Sequence, residues 1–265
     1  MRILLTTLMA TSCTLGMLTT ANALPSITVY LSAPDAQVAP TTLTSLSVET
    51  FDALSTSANN TAPFVSAIGT YTGTFKPNAD DQYGNGTNNY FTFGAQSGTS
   101  TPVSLSFTTP IAYFGFAYCA GDPNNGVTFY DNTNAFLGRF STSTLLTVLN
   151  NGVGTVTATD STVYNTSQYF GKPNTTNTNT SEPYSFVNFF ITGGTVGRIE
   201  FDNSNLGSTG YESDNHTIST TPQTTDGTPF VFVSNVAVVP EASSVSLLAL
   251  AAIPALGVLS ARRHK

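Results

Sequence analysis

Tryptophan is absent from this chain of 265 residues, and cysteine and histidine occur only twice each. Charged residues make up 9% of it, against about 25% in an ordinary soluble domain. Each scarcity excludes something. Zinc sites draw on several His or Cys ligands, and the body offers only His216 and Cys119. A serine nucleophile needs a histidine base, and no G-x-S-x-G turn accompanies His216. Between Leu24 and Glu241 there are four basic residues, Lys76, Arg139, Lys172 and Arg198, against fifteen acidic ones, a net charge of −11. Phosphate binding requires clustered Lys and Arg, so nucleic acid is excluded as a partner. Before the C-terminal apolar run, no stretch has the i, i+3, i+4 spacing of a substantial amphipathic helix.

What the chain does have begins at its ends. Arg2 and the apolar run Ile3–Leu18 form the first parts of a secretory signal peptide. Ala21-Asn22-Ala23 gives the A-x-A site for signal peptidase, with Leu24 as the new terminus. Ala10 stands where lipoprotein processing at Cys13 prefers Leu. If Cys13 leaves with the signal, Cys119 remains alone and no intrachain disulfide can form. At the other end, Val239-Pro240-Glu241-Ala242 precedes an apolar run ending at Leu259, then Arg262, Arg263 and Lys265. The uncharged stretch from Ala242 to Leu259 is roughly 27 Å long as a helix, close to a hydrocarbon core of about 30 Å. The basic cluster stays in the cytoplasm by the positive-inside rule. The expected organisation is a signal peptide over 1–23, a body over 24–239 and a membrane-inserted tail over 240–265.

The tail resembles the PEP-CTERM sorting signal: a Pro-Glu motif (Pro240-Glu241), one span and a basic end. The family's second Pro is replaced by Ala242. The resemblance implies export through the inner membrane of a Gram-negative-type bacterium and recognition by exosortase, a membrane protease that removes the span. The protein is then anchored before processing and at the cell surface or outside the cell after it. A plain anchor that is never cut is the alternative.

The body reads as strands separated by turns. Ile27–Leu31 alternates apolar and polar, and Pro34 and Pro40 after it suggest an edge strand or leader. Leu46–Phe51, Tyr71–Phe75 and Val103–Phe107 are further candidates, and Pro77–Asn89 reads as an exposed loop. Ile111–Tyr118 is apolar on both faces, as a covered central strand is. Val127–Tyr130 and Ala135–Leu137 predict a hairpin around Asp131–Asn134, and Phe186–Ile191 and Val196–Phe201 a second around Gly193-Gly194. Leu145–Leu149 and Val153–Ala158 extend the series, Asn165–Glu182 is a Thr/Asn-rich loop, and Phe230–Val239 is the last strand. The expected fold is all-β, a β-sandwich of jelly-roll or lectin-like type.

Three motifs, Tyr113–Tyr118 with Val127–Asp131, Phe186–Phe190 and Tyr211–His216, together resemble a family of exosortase-dependent surface proteins. That likeness carries no established activity. Calcium takes oxygen ligands, and the candidate ligands are Asp122 with Asn125, and Glu212 with Asp214 and Asn215. The plainer reading of the second group is a solvated acidic turn, and of His216 a rim residue at a strand end. Asp214 and His216, two apart, are expected on one face. Tyr83, Tyr90, Tyr118, Tyr164, Tyr169 and Tyr211 lie near loops and are the candidates for stacking on a glycan. The leading function is a non-enzymatic surface or matrix protein associated with exopolysaccharide or biofilm. Next is a carbohydrate-binding module, with calcium as a possible aid, and last a secreted hydrolase. No other cofactor is expected.

N-terminal sequencing of exported protein is expected to find Leu24 as the first residue. Retained Met1 or a lipidated Cys13 contradicts the signal-peptide reading.

Overall fold

The computed structural model describes residues 25–34, 36–79, 88–95, 97–98, 102–119, 121–171, 181–205 and 208–233. The signal site (Ala21, Ala23), the motif Val239, Pro240, Glu241 and Ala242, the apolar span, and Arg262, Arg263 and Lys265 lie outside them. Among the described residues no helix is long and apolar enough to cross a membrane.

The fold is all-β and its strand pairs are antiparallel. Chain order begins with β1 (Ser26–Leu31), β2 (Ser47–Glu49), β3 (Phe64–Ser66), β4 (Gly69–Thr72), β5 (Lys76–Asn78), β6 (Tyr90–Gly94), β7 (Val103–Ile111) and β8 (Tyr113–Tyr118). There follow β9 (Asn125–Asp131), β10 (Phe136–Ser141), helix α1 (Thr142–Val148), β11 (Thr155–Thr157), β12 (Val163–Asn165), β13 (Ser185–Thr192), β14 (Val196–Asn203), β15 (Gly210–Ser219) and β16 (Phe230–Val233). One sheet has the order β16-β1-β13-β8-β15-β6-β5, with β2 also paired to β15; a second has the order β10-β9-β14-β7-β4-β3. β11 and β12 form a small ribbon.

Alternation in the sequence becomes one shared core. Val29 and Leu31 of β1, Phe114 and Phe116 of β8 and Phe189 of β13 join Val103 and Leu105 of β7, Phe129 of β9 and Phe201 of β14 in a single buried cluster. Rings meet across the two sheets: Phe129 and Phe189 have centroids 4.8 Å apart, Phe140 and Phe189 5.1 Å, and Phe91 and Phe201 5.3 Å. β7 alternates buried and open positions along its first half, whereas β8 is buried throughout.

Four expectations are corrected. β1 is not an edge strand, because β16 pairs along its outer side. Gly138 permits this closure: a Cβ there would stand 2.8 Å from Val233 Cγ2. β13 and β14 are not a hairpin; β13 pairs with β1 and β8, and β14 with β7 and β9. The Gly193-Gly194 turn therefore carries the chain from one sheet to the other. The Leu145–Leu149 run lies in α1 and its C-cap, because Ser141 closes a capping box with Thr144 at the end of β10 and turns the chain into a helix that buries Leu145. The exposed loop expected from Pro77 begins later, since Pro77 is buried in β5 opposite Phe91. The hairpin around Asp131–Asn134 forms as β9 and β10.

Phe189 touches the rings of Phe114, Phe116, Phe129 and Phe140. Phe189→Ala is expected to lower unfolding stability by about 3–5 kcal/mol in urea titrations. A loss below about 1 kcal/mol contradicts a single close-packed core between the sheets.

Candidate functional site

The Tyr211–His216 motif lies within β15, and a bulge in that strand decides where its side chains go. Against β8, Asp214 pairs with Ala117 but Thr217 with Gly115, so β15 carries an extra residue. Asn215 takes it up with φ at +52°, a left-handed conformation that Asn tolerates. The bulge breaks the two-residue alternation. Ser213 and His216 both enter the core, while Asp214, opposite Ala117, belongs to the other face.

His216 is therefore neither a rim residue nor a neighbour of Asp214 on one face. Its ring is fully buried and stacks on Phe201 at 4.8 Å and 19°. The rings of Phe51, Tyr71, Phe91, Phe114 and Phe116 complete the cage at 5.0 to 6.1 Å. Both nitrogens are satisfied: Nδ1 meets the Tyr71 hydroxyl at 2.9 Å, and Nε2 the Ser213 hydroxyl at 2.8 Å. A neutral imidazole has one donor and one acceptor, which suits two hydroxyls. Burial pushes its pKa down to about 3. Phe51 holds a left-handed backbone (φ +59°) beside it, with its amide donating to Glu49 Oε1 at 2.8 Å.

A serine hydroxyl on a histidine nitrogen is the geometry of an activated nucleophile. Here Ser213 and His216 are both fully buried, and the third group is a tyrosine hydroxyl in place of a carboxylate. No substrate reaches the pair as folded, so its chemistry is that of a polar core network.

Glu212 and Asp214 share a face, as the spacing predicts, but they are buried strand residues and form no solvated turn. Asp214 accepts from the Asn215 amide at 2.6 Å, and Asn215 Nδ2 donates to the Gln37 carbonyl at 3.0 Å. Asp122 and Asn125 belong to a different network, where β9 starts and β14 ends. Asp122 Oδ1 accepts from the Asn124 backbone and side chain at 2.9 and 2.8 Å. Asn203 Nδ2 donates to Asn125 Oδ1 at 2.7 Å and to the Gly210 carbonyl at 3.0 Å, tying this corner to the start of β15. Arg139 donates to Asp202 beside it, and that bond raises the guanidinium pKa. Among the described residues no three His, Cys, Asp or Glu converge on a metal-sized site.

The tyrosines proposed for glycan stacking are placed inside. Tyr90, Tyr118, Tyr169 and Tyr211 are buried, Tyr164 is half-buried and donates to Asp160, and Tyr83 is outside the described residues. Two shallow depressions of about 290 and 300 Å³ share Thr42 and Thr159; the first is lined largely by Ala, Val and Pro, the second by threonines and Asp226, and neither has an aromatic ring.

Two aromatics on the outer face of the second sheet were missed. Phe136 and Tyr130 stand opposite each other on β10 and β9, with ring centroids 6.2 Å apart at 78°. Arg198 of β14, also opposite Tyr130, lays its guanidinium 3.7 Å from the tyrosine centroid. Both residues flank the predicted Asp131–Asn134 turn, so the hairpin reading already held the signal. Continuing the register of Gly138 opposite Phe129 would have paired Tyr130 with Leu137; a bulge at Leu137 shifts it to Phe136.

Comparison with known proteins finds no matching family model, no similar curated protein and no similar solved structure.

His216 gives a pH prediction. The unfolded chain binds the imidazole proton near pH 6.5 and the folded protein only near 3. Protons therefore favour unfolding between these values, and stability present above 6.5 is lost as pH falls, by about 1.4 kcal/mol per unit from this site. His216→Gln is expected to destabilise the protein at neutral pH and to flatten the acid limb of its stability profile. Equal slopes for variant and parent contradict the buried neutral ring.

Proposed function

We propose that this is an exported, non-enzymatic surface or matrix protein, sorted by exosortase and associated with exopolysaccharide. In this reading the body is a β-sandwich of lectin-like or jelly-roll type, and the tail is a transient membrane helix. The observation that carries it is the pairing of an A-x-A signal site at Ala21 and Ala23 with a tail of Pro240-Glu241, uncharged span and Arg262, Arg263 and Lys265. Composition supports it: Thr, Asn, Ser and Gly supply the polarity that charges supply in cytosolic proteins. A non-catalytic role is supported by the burial of the Ser213–His216 pair. Glycan binding by the body is the second reading, favoured by the outward row of Phe136, Tyr130 and Arg198. The partners are signal peptidase, exosortase and a polysaccharide.

Pro254 interrupts the span, removing a backbone donor and kinking the helix, which suits a segment that is inserted and then discarded. Replacing Pro240-Glu241 by Ala-Ala should leave insertion intact and abolish release. Blots of membrane and medium fractions from an exosortase-bearing host are expected to show the uncut form accumulating in the membrane. Release equal to the parent protein overturns the sorting motif.

A further inference from the structure

The outer face of the second sheet differs from the rest of the described surface in one respect. Phe136, 61% exposed, is the aromatic among its strongly exposed large hydrophobics; the others are valines. A lone exposed apolar side chain requires no explanation. Phe136, however, is held in place by its surroundings. Asp131 Oδ1 accepts from the amides of Thr133 and Ala135, each at 2.8 Å, and fixes the turn before it. Tyr130 meets it edge-on, and Arg198 covers the Tyr130 ring. Arg198 is itself fixed by Asn134 Oδ1 at 2.8 Å and Glu200 Oε2 at 3.0 Å.

Two bulges produce this row. Leu137 is the extra residue in β10, and Gly197 the extra residue in β14. Gly197 is required there, since a Cβ would stand 2.8 Å from the Asn132 Cα and 2.9 Å from the Asp131 carbonyl oxygen. Bulges re-aim side chains and are frequent beside functional sites. Here they set Phe136, Tyr130 and Arg198 in register across three strands, and Ser106 and Thr70 continue the row through β7 and β4. Five strands at about 4.8 Å spacing give a track roughly 19 Å long.

We propose that this row is a binding platform for a neutral, pyranose-based polysaccharide, with Phe136 as its stacking ring. The positively polarised C–H face of a pyranose packs on the negative face of an aromatic ring. Asn134, Arg198, Glu200 and Ser104 stand beside it with planar amide, guanidinium and carboxylate groups and a hydroxyl, matched to sugar hydroxyls. The chemistry disfavours two other occupants. A stable protein interface covers about 800 Å² per partner around an apolar centre, whereas here the exposed apolar residues Phe136 and Val65 stand at opposite ends of the row, with Tyr130, Arg198, Ser106 and Thr70 between them. An acidic glycan is repelled by a body with a net charge of −11 and finds Arg198 already paired. The proposal rests on the reading that the mature body meets polysaccharide outside the cell.

The test is native gel retardation of the full chain in detergent by neutral pyranose polymers (mannan, hydroxyethylcellulose, soluble β-glucan), with alginate as the acidic comparison. Retardation by a neutral polymer and none by alginate is expected. Phe136→Ala should weaken it about tenfold, with an unchanged melt, and Phe136→Tyr should retain it. Val163→Ala, comparably exposed at 62% on β12 outside this sheet, should bind as the parent does. Binding unaltered by Phe136→Ala overturns the platform while leaving glycan association standing. No retardation by any neutral polymer, or preference for alginate, overturns the choice of ligand. A change of oligomeric mass in Phe136→Ala without a change in retardation assigns the face to a second copy. Export and release are read separately by fractionation, so their failure is distinguishable from failure of this site.

Discussion

The contact between Phe201 of β14 and His216 of β15 sits where the two sheets meet, and the rest of the body is built outward from it. The ion pairs Arg139–Asp202 and Arg198–Glu200 lie within the second sheet and Cys119 is a free, buried thiol, so none of these joins one sheet to the other. Ring packing takes that role. Phe91, Phe114, Phe116 and Phe201 close around an imidazole whose two nitrogens are occupied by Tyr71 and Ser213. A buried polar group without partners would destabilise such a core by about 1–3 kcal/mol. With both bonds made, it fixes β4, β14 and β15 in one relative position.

Strand positions were legible wherever burial differs between the two faces. The alternation in β1 and β7 and the doubly apolar β8 follow from period two and from cover on both sides. Register and sheet membership were not legible. A glycine turn between two apolar runs reads as a hairpin whether it joins neighbours or crosses to the facing sheet, and Gly193-Gly194 crosses. The bulges at Leu137, Gly197 and Asn215 were equally silent, because an inserted residue leaves composition unchanged while reversing every later side chain. That is why His216 was placed at a rim and on one face with Asp214.

The polar chemistry divides by depth. Ser213 and His216, hydrogen-bonded to each other, are committed to the interior. Asp122 and Asn125 are committed to the corner that Asn203 ties together. On the outer face of the second sheet, two bulges set Phe136, Tyr130 and Arg198 in one row, the row proposed above to hold a neutral polysaccharide.

The central claim is that both sheets clasp one core around a neutral His216. Side-chain nitrogen NMR of the histidines, followed from pH 8 to 4, tests it most directly. The account predicts that the His216 resonances keep the pattern of a single neutral tautomer across the folded range, with a ring proton protected from exchange, since protonation awaits a pH of about 3. Titration of His216 with a midpoint near 6.5, as for a solvated ring, contradicts it.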